Sequence, residues 1–113
     1  MCGRFELHSI FEIIARIFSI GRTAVALAPR YNIAPGQDIP IVVEEGRERV
    51  LVPSRWGFLP HWAKDAKDGY KMINARAETL REKPSFRQAL AKRRCLIVAD
   101  GFYEWQRTEN QKG

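Results

Sequence analysis

Three features of the 113-residue sequence predict an α+β domain. They are an amphipathic stretch near the N-terminus, two β-rich runs around a short turn, and an apolar run toward the C-terminus. In residues 9–19, SIFEIIARIFS, the side chains Ile10, Phe11, Ile13, Ile14, Ile17 and Phe18 recur at helical spacing. Ser9 is the expected N-cap and Gly21 the expected stop. Residues 31–37, YNIAPGQ, predict a loop, because Ala34 precedes Pro35 and Gly36 turns the chain. Ile39–Glu44 and Glu48–Val52 flank Glu45-Gly46-Arg47 as a β-hairpin. The segment WGFLPHW, Trp56–Trp62, is too aromatic and too interrupted by Gly and Pro for a regular helix, and is expected to be a rigid irregular display of rings. Residues 77–93 predict one or two short helices broken at Pro84, with Ser85 as N-cap. Cys95–Trp105 is the strongest strand, with a bulge expected at Gly101.

Composition narrows the function. Hydrophobic residues make up 45% and aromatics 11%, enough for a core and too much for disorder. No apolar run approaches the ~18 residues of a membrane span, and the start lacks the basic and apolar regions of a secretory signal. A cytoplasmic protein is expected, nucleoid-associated if bacterial. Two cysteines make neither a disulfide framework nor a CxxC pair, and Cys2, His8, His61 and Cys95 lack the spacing of a zinc site. No metal or other cofactor is expected. The net charge of +6 is concentrated: Arg76, Arg81, Lys83, Arg87, Lys92, Arg93 and Arg94 face only Glu78 and Glu82 over residues 76–94. Such a run is either a solvated helix face or a phosphate-binding surface.

Cys2 carries the most chemistry. An initiator Met before a small residue is generally removed, which would expose an α-amine and a thiol on one residue. Ordinary values of about 7.7–8.0 for an α-amine and about 8.5 for a thiol leave such groups partly deprotonated and nucleophilic near neutrality. A 1,2-aminothiol condenses with an aldehyde to a Schiff base, and the sulfur then closes a five-membered thiazolidine intramolecularly. Arg4 could hold a neighbouring phosphate bidentately. Strand parity groups Leu96, Val98, Phe102 and Glu104, which would leave Glu104 partly desolvated and able to act as a general acid or base. Paired instead with an Arg, the same residue would serve only an edge. Asp100, beside Gly101, reads as a turn residue. Asn74 could orient a substrate oxygen or bond the backbone of a turn. Trp62 could stack on a base, whereas Trp56 reads as core. His8 and His61 show no acid partner in sequence and receive no catalytic role.

Taken together, MCGR at 1–4, YNIAPGQ at 31–37, WGFLPHWAKD at 56–65, INARAET at 73–79 and RRCLIVADGFYEW at 93–105 resemble the SRAP family, the SOS-response-associated peptidases that shield abasic sites. The resemblance implies self-removal of Met1 and a thiazolidine between Cys2 and the ring-opened sugar of an abasic site in single-stranded DNA. It implies that Asn74 helps hold the linked sugar and that Glu104 assists ring opening and proton transfer, with lyase activity as a side path. Arg4, Arg76 and Arg81 would contact DNA, Asn32 and Pro35 would form the pocket wall, and Trp62 would lie where the adjacent base is displaced. The implied fold is a curved, barrel-like, mostly antiparallel sheet with short flanking helices. The family also uses a His from its second half, and neither His8 nor His61 sits in such a motif. Residues 108–113 read as a hairpin turn without its returning strand, so residues 1–113 are expected to be the N-terminal portion of a single, longer domain. Two rival functions are a non-catalytic module for single-stranded nucleic acid and a thiol peptidase acting on other proteins.

Overall fold

The structure, a computed structural model, describes residues 2–60, 62–65, 67 and 72–106. Met1, His61 and the turn expected at residues 108–113 lie outside the described residues. The chain forms β1 (Phe5–Leu7), α1 (Phe11–Phe18), β2 (Ile20–Thr23), β3 (Arg30–Ile33), β4 (Asp38–Glu45) and β5 (Glu48–Arg55). A 3-10 turn at Ala77–Thr79, α2 (Pro84–Lys92), β6 (Leu96–Ile97) and β7 (Gly101–Phe102) follow. The fold is α+β. The strands make a three-stranded sheet in the order β3-β1-β7 and a four-stranded sheet in the order β2-β5-β4-β6. All neighbours are antiparallel except β2 and β5. Among the described residues no ladder joins the two sheets into a barrel.

The hairpin β4–β5 is the longest ladder, running from Asp38↔Arg55 to Glu45↔Glu48. Only Gly46 of its two-residue loop has positive φ, at 65°, the pattern of a type II′ turn that matches strand twist. Pro40 and Pro53 oppose each other past the residues where β6 and β2 pair, so neither removes a bond from the outer ladders. In YNIAPGQ, the expected loop is a strand as far as Ile33. The turn begins at Ala34, whose carbonyl accepts the Gln37 N–H, and Gly36 has φ 86°. Ile33 is fully buried, and that burial draws the strand into the sheet.

In α1, Phe11, Ile14 and Phe18 turn toward the core, while Ile10, Ile13 and Ile17 form an exposed second stripe. Ile10, not Ser9, occupies the N-cap position, and Ser19, not Gly21, ends the helix in the left-handed region. Ser9 is taken up instead by Asp100, and Gly21 lies within β2. Pro84 starts α2 at its first turn rather than breaking a helix, which its missing N–H allows, and Lys83 rather than Ser85 is the N-cap. The strand expected over Cys95–Trp105 is two short strands in different sheets: β6 pairs with β4, Val98 enters the core, and β7 pairs with β1. Gly101 is not a bulge. It sits where a Cβ would meet the Glu6 carboxylate at 3.1 Å.

The core joins both sheets and α1 through Phe5, Leu7, Ile14, Ile33, Ile39, Val42, Leu51 and Val98. Trp56 packs on its edge, as its residue type suggests, with its ring 5.4 Å from Phe5. No helix among the described residues is long and apolar enough to cross a membrane.

Candidate functional site

Phe5 and Leu7 alternate into the core and fix β1, a strand too short to be evident in sequence, so residues 2–4 are carried along its start. Cys2 is half-buried against that core, and its Sγ lies 3.6 Å from the Arg4 carbonyl oxygen. The Asn74 side-chain amide donates to the Cys2 carbonyl at 2.8 Å across 72 positions of sequence. The loop carrying Asn74 is held by the Trp56 indole N–H, which donates to the Ile73 carbonyl at 3.1 Å. Because the same indole rests on Phe5, one aromatic contact positions both Cys2 and Asn74.

On the other side of β1, Arg4 Nη1 donates to Asn32 Oδ1 of β3 at 3.2 Å. The Tyr103 N–H donates to the Arg4 carbonyl at 3.0 Å and brings the segment after β7 alongside. A cavity of about 770 Å³ opens between these elements, lined by Gly3, Arg4, Tyr31, Asn32, Tyr103, Glu104 and Trp105. A guanidinium, an amide and a carboxylate thus face one open space whose wall includes Gly3, the residue after Cys2, while Cys2 and Asn74 themselves do not line it. That donor and acceptor set can engage a phosphate and a sugar hydroxyl together.

Other expected site residues stand apart. Pro35 is half-buried in its turn, and Trp62, Arg76 and Arg81 are exposed. None of the four lines this cavity. All seven basic residues between Arg76 and Arg94 are exposed. Glu104 corrects the parity argument: the switch between sheets at residues 98–100 breaks the alternation, and Glu104 emerges exposed on the cavity rim rather than desolvated on an apolar face.

His8 is a second correction. Its Nε2 lies 3.4 Å from Glu6 Oε1, its Nδ1 lies 3.9 Å from Asp100 Oδ2, and its ring stacks on Tyr31 at 5.1 Å. The i, i+2 spacing of Glu6 on β1 and His8 just after it was a usable signal, but nothing local announced Asp100. The Tyr103 hydroxyl lies 2.9 Å from Glu6 Oε2 and 2.8 Å from the Tyr31 carbonyl, one proton between two acceptors. The hydrogen bond to Glu6 pushes the phenol above its ordinary value. Among the described residues no group of three His, Cys, Asp or Glu side chains is placed to hold a metal ion.

The chain is 52% identical over 111 residues to "Abasic site processing protein YoqW" of Bacillus subtilis, covering 96% of this chain and 50% of that protein. It is 33% identical over 132 residues to "Abasic site processing protein HMCES" of Mus musculus, covering 96% of this chain and 37% of that one. The chain therefore spans about half or less of the length of these relatives. A crystal structure of a Bacteroides thetaiotaomicron protein shares the fold with a TM-score of 0.79 at 24% identity, over 97% of this chain and 51% of that one. A Bordetella bronchiseptica protein matches with a TM-score of 0.72 at 28% identity, over 91% of this chain and 50% of that one. The family model "SOS response associated peptidase (SRAP)" matches residues 1–113, and the chain belongs to that family.

Proposed function

We propose that this protein acts in the DNA-damage response by capturing abasic sites covalently, with single-stranded DNA as the substrate and Cys2 as the attacking residue. The observation that carries the reading is the Asn74 amide on the Cys2 carbonyl at 2.8 Å, with the next residue, Gly3, lining a cavity together with Arg4, Asn32 and Glu104. Once Met1 is removed, which the protein does to itself in this reading, the Cys2 amine adds to the aldehyde carbon of the opened sugar. Loss of water leaves an imine. The thiol then adds across the C=N bond: sulfur bonds to carbon, and its proton ends on nitrogen in the thiazolidine.

Glu104, on the cavity rim, supplies and removes protons during ring opening and dehydration, which an exposed carboxylate can do when substrate covers it. Asn74 restricts the Cys2 main chain and so the direction from which its two nucleophiles approach. Arg4, oriented by Asn32, takes a phosphate next to the lesion, while Pro35 and Trp62 border the path of the strand and Arg76 and Arg81 neutralise flanking phosphates. Strand cleavage would follow where the imine forms and the ring does not close. The relatives' names as abasic site processing proteins support the substrate class. We read residues 1–113 as the N-terminal portion of one SRAP domain acting in the cytoplasm.

The test is incubation with an oligonucleotide bearing one abasic site, followed by denaturing electrophoresis. The expected result is a stable protein–DNA band that Cys2→Ala abolishes. A band that survives Cys2→Ala, or an N-terminal mass showing retained Met1, overturns the reading. The exposed basic stretch favours a second reading, a non-catalytic module for single-stranded nucleic acid. That module binds intact and abasic strands equally and is indifferent to Cys2.

A further inference from the structure

We propose that Tyr103 is a positioning residue for abasic-site capture: its hydroxyl, anchored on Glu6 and on the Tyr31 carbonyl, fixes Glu104 in register with Cys2 and Arg4. Its role rests on the capture reading and is exerted through its neighbours, not on the reacting atoms. The Arg4 carbonyl is where the connections meet. It accepts the Tyr103 N–H at 3.0 Å, and the Cys2 Sγ lies 3.6 Å from the same oxygen. Glu104, the next residue along, lines the cavity with Arg4 and Asn32. β7 ends at Phe102, so main-chain pairing reaches only one residue past the strand, to Tyr103. The Tyr103 side chain supplies a second attachment at the same residue. Its hydroxyl lies 2.9 Å from Glu6 Oε2 on β1 and 2.8 Å from the Tyr31 carbonyl oxygen on β3. In the order β3-β1-β7 that hydroxyl spans the whole sheet. Tyr31 in turn precedes Asn32, whose Oδ1 receives the Arg4 guanidinium at 3.2 Å.

The carboxylate that receives the hydroxyl is itself held. Glu6 Oε1 lies 3.4 Å from His8 Nε2, and a Cβ on residue 101 would come within 3.1 Å of that same oxygen. Glycine at 101 therefore leaves the carboxylate its place beside β7. A phenol on a carboxylate makes a charge-assisted bond, stronger than one between neutral groups. That bond also raises the phenol above its ordinary value, so Tyr103 stays a donor throughout the neutral range. At the other end of β7, Asp100 accepts the N–H groups of His8 and Ser9. Residues 100–103 are thus fastened at both ends to residues 4–9, and the Tyr103 end is the one adjoining Glu104. A proton-transfer group acts only within hydrogen-bond reach of its proton, so restraint one residue away is felt in the rate.

The test is Tyr103→Phe, which deletes one oxygen and keeps the ring, followed by single-turnover crosslinking to an oligonucleotide with one abasic site. The expected result is a rate at saturating DNA lower by roughly three- to tenfold. The DNA concentration for half-maximal rate and the final crosslink yield should stay within about twofold. A variant that merely unfolds in part lowers the yield instead and leaves the rate of its folded fraction. Without DNA, the amide of residue 103 should exchange at least about threefold faster, since its bond to Arg4 loses its companion. In a Glu104→Gln background, Tyr103→Phe should change the rate by less than about twofold, because the two residues act as one unit. An unchanged rate for Tyr103→Phe, a Glu104→Gln rate equal to the parent's, or effects that multiply in the double variant overturns the role of Tyr103, while crosslinking by the parent protein leaves the capture reading standing. A parent protein that forms no crosslink overturns the capture reading, and the role of Tyr103 falls with it.

Discussion

The carboxylate of Asp100 accepts the N–H groups of His8 and Ser9 at 2.7 and 2.9 Å, together with the Ser9 hydroxyl. These bonds favour the ionised group, and the Ser9 hydroxyl above all lowers its value from the ordinary 3.8 to about 2. A carboxyl depressed in the folded state adds stability that is complete above its ordinary value and is lost as pH falls through about 2. Asp100→Ala should cost about 1 kcal/mol and lower the Tm by roughly 5 °C at pH 7. It should also flatten the dependence of Tm on pH between about 4 and 2, which a thermal-melt series would show. In the abasic-capture reading, Asn74→Ala removes one hydrogen bond from Cys2 and should slow capture roughly two- to tenfold without abolishing it, as measured in single-turnover crosslinking. An unchanged rate would remove Asn74 from the site. These residues were unequally legible. Cys2 and Arg4 are chemical in themselves, and their block MCGR carries the resemblance, whereas the partners of Asp100 lie more than 90 positions away.

Ser19 closes α1 with φ 54° and ψ 49°, a conformation that costs an L-residue roughly 1–2 kcal/mol. Its N–H reaches the Ala15 carbonyl, and Arg49 from β5 donates to the Phe18 carbonyl at 2.9 Å, so the helix end is satisfied although its residue is unfavourable. Ser19→Gly relieves the strain and loses some of the gain to the greater freedom of unfolded Gly. The net expectation is about 0.5 kcal/mol of added stability and a Tm higher by roughly 2–4 °C. A lower Tm would mean that the serine side chain contributes more than its backbone costs. The helix itself is evident from periodicity, because Phe11, Ile14 and Phe18 repeat on one face. Its ends are not, because Ser9 answers to a distant carboxylate and Gly21 to the hydrogen-bond ladder with β5. The hairpin β4–β5 was readable for the opposite reason: its partners are neighbours in sequence, and Gly46 supplies the turn angle locally.

Across the molecule, the excess positive charge of residues 76–94 lies on an exposed surface running from the loop after Asn74 through α2. In the DNA-binding reading each lost phosphate contact removes about one released counterion. Arg76→Ala should then reduce the slope of log affinity against log salt by roughly 0.7 on single-stranded DNA, for every base sequence alike. A slope equal to that of the unaltered protein would assign Arg76 to the solvated surface.

The sequence by itself determined the α+β class, the helix, the hairpin, the cationic stretch and the motif blocks, because each depends on residue type or on spacing within about a dozen positions. Only the tertiary structure decided that Asn74 meets Cys2, that His8 lies between Glu6 and Asp100, and that the run from Cys95 to Trp105 divides between two sheets. Those outcomes come from burying Phe5, Ile33 and Val98 in one core, a choice of partners that no local periodicity encodes.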